Sequence, residues 1–351
     1  MYYIGMDCHM TSLEFAVVNE KGKVLKRGRV PTSVKGMLEF IRSIPRPRKV
    51  IMEEGSLAGW AKEACESYGE RIVISDPKEN RWIACAGRKG DPWDAEKLAH
   101  LGRGGYLKEI YHSVGEKRRL RELVLGYHDT VGLETRLKNK IKAKFRQQGI
   151  SCIGRTVYLE KHRERWRQKL ASERVTQMMV EGYWRQLDQT RKCRLEILQT
   201  LRREKSKYPE IRRFMGLDGM GLIHAITIFA LVETPHRFAT KKHLWGYFGL
   251  RVDQRSSGEK VYSTHLTKDY NRRLKATIKQ AVESALRKQG GVFQQHYVHL
   301  TQEGLASHRA KLTVARSMLA ALYAMWLTGK EYDPTRQQRD RMRHLRFGLP
   351  S

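Results

Sequence analysis

The sequence predicts an α/β domain, a mixed sheet with flanking helices, followed by a helical coiled-coil segment and a mainly helical C-terminal domain. Three observations carry this. Residues 1–107 alternate short β-branched and aromatic runs with turn signals, residues 114–205 are long, charged and helix-forming, and beyond residue 208 amphipathic helices enclose one polar stretch. In order, "YYIGMD" and "LEFAVVNE" read as strands, "NEKGK" as a turn and "VLKRGRV" as a third strand. "SVKGMLEFIRSI" is a helix, "KVIMEE" a fourth strand, "LAGWAKEACESYG" a helix ending at Gly69, and "RIVISDP" a fifth strand stopped by Pro77. A meander followed by alternating helix and strand gathers polar groups at the ends of its central strands.

In the middle segment apolar residues recur at Leu120, Leu123 and Val124, and again at Leu187, Leu195 and Leu198, the spacing of paired helices or an antiparallel coiled coil. Next, "FMGLDGMGLIHAITIFALVE" sets Gly216, Gly219 and Gly221 in a short turn before an apolar helix. Such a turn can offer backbone N–H groups to a phosphate, as helix-hairpin-helix elements do, or can serve close packing; the sequence leaves both open. "FATKKHLWGYFGL" is helical, "RVDQRSSGEKVYSTHLTKDYN" a polar loop or hairpin, and "RRLKATIKQAVESALRK" and "HRAKLTVARSMLAALYAMWLTG" are amphipathic helices. The predicted division is 1–107, 108–208, 209–332 and a basic tail, 333–351.

The chain of 351 residues sets 68 Lys and Arg against 37 Asp and Glu, a net charge of +31. A globular protein tolerates that self-repulsion most readily beside a polyanion, so nucleic acid is the expected partner. Lys and Arg crowd the middle segment, where a solvated helix face is the bland reading and scarce acids favour phosphate contact. With no run of 18 apolar residues, and a start, "MYYIGMDCHM", lacking a basic and then apolar leader, a cytoplasmic chain without a membrane partner is expected. The five cysteines are odd in number and form no C-x-x-C pair, which argues against a disulfide framework or a zinc site.

The acids carry the candidate chemistry. Asp7 closes an otherwise apolar first strand, Glu53 and Glu54 close the fourth, and Asp91 and Asp94 in "GRKGDPWDAEKLAH" open the helix after the last strand, three residues apart on one helix face. Locally, Asp91 makes a good N-cap with Pro92 at the first helical position. Alternatively, in a sheet with the first and fourth strands adjacent, all these groups converge, and converging carboxylates repel unless a hard divalent cation sits among them.

With these motifs in place, the chain resembles the DEDD-type transposases of bacterial insertion sequences, bridge-RNA-guided recombinases that join a RuvC-like N-terminal domain to a serine-bearing C-terminal transposase domain. The resemblance rests on the order and spacing of "IGMD", "EGSLAGW", "KGDPWDAEKLA", "GLDGMGLIHAITI", "FGLRVDQRSSGEK" and "LTKDYNRRLK". It implies an RNase H/RuvC-like sheet whose four acids, Asp7, Glu54, Asp91 and Asp94, hold Mg²⁺ or Mn²⁺. Glu54 is taken over Glu53 because an ungapped match puts Ser56 and Trp60 in step. It further implies Ser257 in "RSSGEK" as the nucleophile, with Ser256 the neighbouring alternative. Without the resemblance, a serine beside Gly258 is ordinary turn chemistry. Tyr270 stands where the family usually has glycine, and Cys8 and His9 follow the first acid at variable positions.

The implied function is an RNA-guided, site-specific recombinase of an insertion sequence that acts on donor and target DNA with a structured noncoding guide RNA. The implied assembly is a homodimer or homotetramer, in the bacterial cytoplasm and on the nucleoid when bound to DNA. Trp166, Tyr183 and Trp184, interleaved with basic residues, are either RNA contacts or helix packing. Two other classes remain open: a metal-dependent RuvC-like junction nuclease using water, and a basic RNA-binding protein without catalysis.

Overall fold

The computed structural model describes residues 1–77, 90–257 and 260–335; the side chains of Asp91 and of residues 255–263, and the basic tail from residue 336, lie outside the described part. The chain divides into two compact units, Met1–Arg119 and Leu120–Ser351.

The first unit contains β1 (Tyr2–Cys8), β2 (Ser12–Asn19), β3 (Val24–Pro31), α1 (Val34–Arg42), β4 (Arg48–Glu53), α2 (Ala58–Ser67), β5 (Ile72–Ser75) and α3 (Asp91–Gly104). Its five strands run in the order β3-β2-β1-β4-β5. β1 pairs antiparallel with β2 and parallel with β4, and β5 is parallel to β4, so the sheet is mixed as the sequence predicts. Strand alternation gives the sheet two different faces. Ile4, Met6, Phe15, Met52 and Ile74 form one core with Met37 and Ile41 of α1 and Cys65 of α2. Ser33 starts α1 by accepting a hydrogen bond from the Gly36 N–H, leaving Met37, Leu38, Phe40 and Ile41 buried.

The opposite face carries α3. A Cβ built on Gly5 would lie 1.8 Å from the Ala95 carbonyl oxygen, so glycine is what lets α3 sit directly on β1. Near the helix's other end Arg103 donates to the Glu20 carbonyl at 3.4 Å, beyond Asn19, which pairs with Tyr2 at the start of β1. α3 therefore runs against β1, and its first turn points to the strand's carboxyl end.

The second unit holds most of α4 (Gly115–Gln147), then α5 (Arg163–Gln168), α6 (Arg174–Glu204), α7 (Pro209–Phe214), α8 (Leu222–Val232), α9 (Lys241–Tyr247), β6 (Val252–Ser257), β7 (Lys260–Leu266), α10 (Arg272–Ala285), α11 (Val292–Gln302) and α12 (Ser307–Thr328). Phe145 meets Trp184 at 6.3 Å between ring centres while Glu134 pairs with Arg194, so α4 and α6 run antiparallel. Leu137, Ile141, Phe145, Val180, Trp184 and Leu187 form their shared core. Trp184 donates Nε1–H to the Val157 carbonyl at 2.8 Å, and with Trp166 also buried, helix packing accounts for both tryptophans. Leu195 departs from the expected seam: it is half exposed, because the contact line of α6 passes beside it, through Arg194, which pairs with Glu134, and on to the buried Leu201.

A second, larger core joins α8, α10 and α12 through Ile226, Phe229, Ile278, Val314 and Leu319. The polar stretch resolves as an antiparallel hairpin, with Ser257 paired to Lys260 at its tip and a register shift between Arg255 and Ser256. The Tyr270 ring lies where a Cβ on Gly249 would be, 2.5 Å away, so the glycine missing at position 270 is matched by one at 249.

Candidate active site: an acidic row beneath a helix start

Each acid is positioned by its parity on a strand. Gly5 faces α3, so Asp7, two residues on, faces the same way. The antiparallel register sets Glu14 opposite Asp7, and Arg29 opposite Glu14. On the parallel side Gly5 pairs with Ile51 and Met6 with Met52, so one step further brings Asp7 alongside Glu53, which in turn pairs with Ser75. Ile51 also belongs to the α3 face, because its Cδ1 lies 2.6 Å from where a Cβ on Gly102 would stand. Arg29, Glu14, Asp7, Glu53 and Ser75 thus form one lateral row across the sheet, beneath the end of α3 that carries Asp91 and Asp94.

Carboxylates directly opposite on neighbouring strands have Cβ atoms about 5 Å apart and destabilise the pair unless a cation intervenes. Arg29 supplies one such cation, with its Nε 3.0 Å from Glu14 Oε1. Asp7 Oδ2 lies 3.1 Å from His9 Nε2. Burial first, then the Asp7 carboxylate and Cys65, push the Cys8 thiol up to about 12, so it stays protonated at neutral pH. Cys8, Cys65, Cys152 and Cys193 are free thiols; Cys85 lies outside the described residues.

The helix start bears on the cap reading of Asp91. The Trp93 and Asp94 N–H groups donate to the Gly90 carbonyl at 2.9 and 3.1 Å, so Gly90 is the N-cap and Asp91 the first helical residue. The N-cap role expected locally for Asp91 is thus held by glycine, one residue earlier. The Asp91 side chain lies outside the described part. Asp94 is exposed and accepts from Lys97 Nζ at 2.9 Å.

Glu53 and Glu54 differ. Glu53 continues the alternation onto the α3 face, whereas Glu54 follows the end of β4 and hydrogen-bonds His112 Nε2 through its carboxylate. Among the described residues no group of three or more His, Cys, Asp or Glu is already gathered in metal-holding geometry. The donor chemistry nevertheless suits Mg²⁺, which needs only one or two carboxylates, with water and phosphate completing its shell.

Sequence reasoning missed Glu14, Arg29 and His112. The first two become visible only once the β1–β2 register is known, and the short turn after Cys8 is the one signal that bears on it. Ser257 belongs to the second unit, at the tip of the β6–β7 hairpin, and neither its side chain nor that of Ser256 is among those described.

Among the described residues no helix is long and apolar enough to cross a membrane. No curated protein matches the chain. Two family models do. The DEDD transposase model of IS110 elements matches residues 4–149, which include the acidic row, α3 and its first turn. The model described as the transposase IS116/IS110/IS902 family matches residues 211–298, from the start of the second core through the serine hairpin to α11. Matched in this order along one chain, with an RNase H-like sheet in the first part and a helical second part, they place it: the chain belongs to the IS110 family of DEDD-type transposases and is an enzyme acting on DNA.

Proposed function

We propose that the chain is an RNA-guided recombinase that moves its own insertion element, cutting and rejoining DNA through a serine-linked intermediate. The observation that supports this best is where the fold places separate acids: Asp7 and Glu53 stand side by side at the carboxyl ends of β1 and β4, on the sheet face that carries α3, whose first turn holds Asp91 and Asp94. In this reading residues 1–107 are the acid-bearing catalytic domain, 108–208 a basic helical linker, 209–332 the domain with the serine, and 333–351 a basic tail.

Asp7, Asp91, Asp94 and one of Glu53 and Glu54 would hold divalent metal, Mg²⁺ or Mn²⁺. When bound, the metal supplies Lewis-acid polarisation of the scissile phosphate. The protein's own residues do the rest. The Ser257 hydroxyl attacks phosphorus, its proton passes to a carboxylate, and an Oγ–P bond forms as the bond from phosphorus to the leaving deoxyribose oxygen breaks, that oxygen taking up a proton from water to become a hydroxyl. Attack by the hydroxyl of a second strand reverses the exchange and frees the serine, so no nucleotide cofactor is consumed. Glu14 and Arg29 hold the outer end of the row, and His9 faces Asp7. A guide RNA paired to donor and target DNA would choose sequence, while the protein reads duplex shape and backbone. A homodimer or homotetramer would bring the acids of one protomer to the serine of another.

The test uses the full chain with RNA transcribed from the element's flanking DNA, labelled donor and target DNA, and Mg²⁺. A DNA adduct that survives denaturation is expected, abolished by Ser257→Ala and kept by Ser256→Ala. Metal-dependent cutting with no adduct would replace this reading with a hydrolytic junction nuclease. Binding without cutting would leave an RNA-binding protein with structural acids.

A further inference from the structure

Three open cavities adjoin one another along the exposed side of α10. One, of about 600 Å³, lies at the helix start against His128, Arg272, Arg273 and Gln280. The next, of about 520 Å³, shares Ala276 and Gln280 with it and is bounded by Lys279, Glu283 and Arg287. The third, of about 450 Å³, shares His224 and Ser284 with the second and is walled by the 215–221 turn. They make a single trough. Leu274, Ile278, Ala281 and Val282 are buried on the other side of the helix, so the trough follows the helix's one free stripe.

The trough has a small floor and positive walls. Ala276, Gln280 and Ser284, four residues apart, keep its floor low. Among the described residues Arg272, Lys279 and Arg287 are exposed and make no ion pair. The bordering acids are each taken by another cation: Asp129 by Arg273 at 3.2 Å, Asp218 by Lys288 at 2.6 Å and Glu283 by Lys311 at 2.7 Å. His128 adds no charge at neutral pH, because burial first, then Arg273, holds it near 4, and its Nε2 lies 2.8 Å from Thr227 Oγ1. Burial likewise lowers His224. At the far end a Cβ on Gly219 would lie 2.3 Å from the Ala281 carbonyl oxygen, so the turn is seated directly on α10 and the trough keeps its shape. α8 begins at that turn and adds the positive end of its dipole.

We propose that this trough is a docking surface for the sugar-phosphate backbone of duplex DNA. Three unneutralised cations spread over about 20 Å of helix match roughly half a turn of duplex. Among the described residues no Phe, Tyr or Trp lines any of the three cavities, so none of them stacks on unpaired bases there, as a single-strand site would require. The chain's family acts on DNA, which selects DNA over an RNA duplex. The inference does not depend on the acidic row or on Ser257.

The experiment measures binding of the full chain to a random-sequence DNA duplex by anisotropy between about 50 and 200 mM salt. Each phosphate contact adds about 0.9 to the slope of log affinity against log salt. The variant Arg272→Gln/Lys279→Gln/Arg287→Gln is expected to make that slope shallower by about 2 to 3, and Arg272→Gln alone by about 0.9. Arg185→Gln/Lys192→Gln/Arg202→Gln, which removes the same charge from exposed positions of α6, is expected to change it by less than about 1. The slope is read without Mg²⁺ and without strand cleavage, so a failure of the catalytic reading would not be mistaken for a failure of this one. An unchanged slope in the trough variant, an equal change in the α6 variant, or a loss confined to an RNA duplex of the same sequence would each overturn the proposal. All six positions are exposed, and thermal melts of both triple variants are expected to match the parent's.

Discussion

On the face of the sheet that carries α1 and α2, Ile4, Met6, Phe15 and Met52 are at most 2% exposed, and none of the strand residues in that core is an acid. On the face beneath α3 the same strands contribute Gly5, Asp7, Glu14 and Glu53. Burial alone specifies the first face. The second surrenders some of that stability: a glycine opens room for a helix backbone, and carboxylates stand opposite one another where like charges are unfavourable. Under the body of α3 the second face is apolar too, with Ala16, Val18 and Ile51 buried, so the chemistry is confined to its row of acids at the carboxyl ends of β1 and β4, and the contrast can be broken from either side.

The largest effect belongs to Asp7→Asn. Strand cleavage is expected to fall about 10,000-fold, as loss of a catalytic group does, while the melting temperature holds or rises because the repulsion toward Glu14 is relieved. Parallel cleavage assays and thermal melts check both. A lowered melting temperature would mean that Asp7 supports the fold, and the contrast between the faces would fail.

A sharper question is which acid completes the row. The ungapped motif match favours Glu54; strand parity favours Glu53. If parity governs, Glu53→Gln lowers cleavage about 1,000-fold and Glu54→Gln only about 10- to 100-fold, the usual scale for a group that supports a metal ligand from behind. The reverse order would give Glu54 the ligand's role and make its His112 contact the supporting one. Cleavage against Mg²⁺ concentration distinguishes the two.

These two acids mark where the sequence stopped being legible. The fold could be read because β-branched runs, glycine and proline turns, and three-and-four spacing depend on neighbours along the chain. The existence and order of the first unit's elements followed from that. The site depends on register, which is set between strands: that Asp7 faces Glu14 follows from the pairing of Cys8 with Leu13, and no composition or spacing fixes that pairing. The start of α3 was equally unreadable, since "GDPWD" offers two adjacent caps and one residue's difference converts Asp91 from cap to helix. Leu195 misled for a related reason: spacing along the chain does not say which of two neighbouring positions meets the facing helix, and Arg194, which pairs with Glu134, holds that place.

From the apolar side, Ile41→Ala leaves a cavity between α1 and the sheet where the side chain is fully buried. The expected cost is about 2 to 5 kcal/mol of stability, read by denaturant unfolding, with cleavage per folded molecule unchanged. A comparable fall in turnover would show that the two faces are mechanically coupled through the strands.

The smallest expected effect tests whether charge near the apolar layer behaves differently from charge in the acidic row. Glu70 is 5% exposed at the entry to β5 and accepts from Arg48 Nε at 3.2 Å and Arg46 Nη2 at 3.0 Å. Burial raises its carboxyl pKa, but hydrogen bonds and charge from Arg48 and Arg46 outweigh that and hold it below the usual carboxylate range. A depressed folded value means that the stabilisation is complete above the unfolded value, near 4.3, and is lost as pH falls through the folded one. Glu70→Gln should therefore cost about 1 to 3 kcal/mol at neutral pH. The difference from the parent should shrink steadily as the medium is acidified below about pH 4. Asp7→Asn should show no such cost at any pH, because its carboxylate is placed for a reaction and Glu70's for the fold; a matching acid-dependent loss in both would erase the distinction between the two kinds of charge.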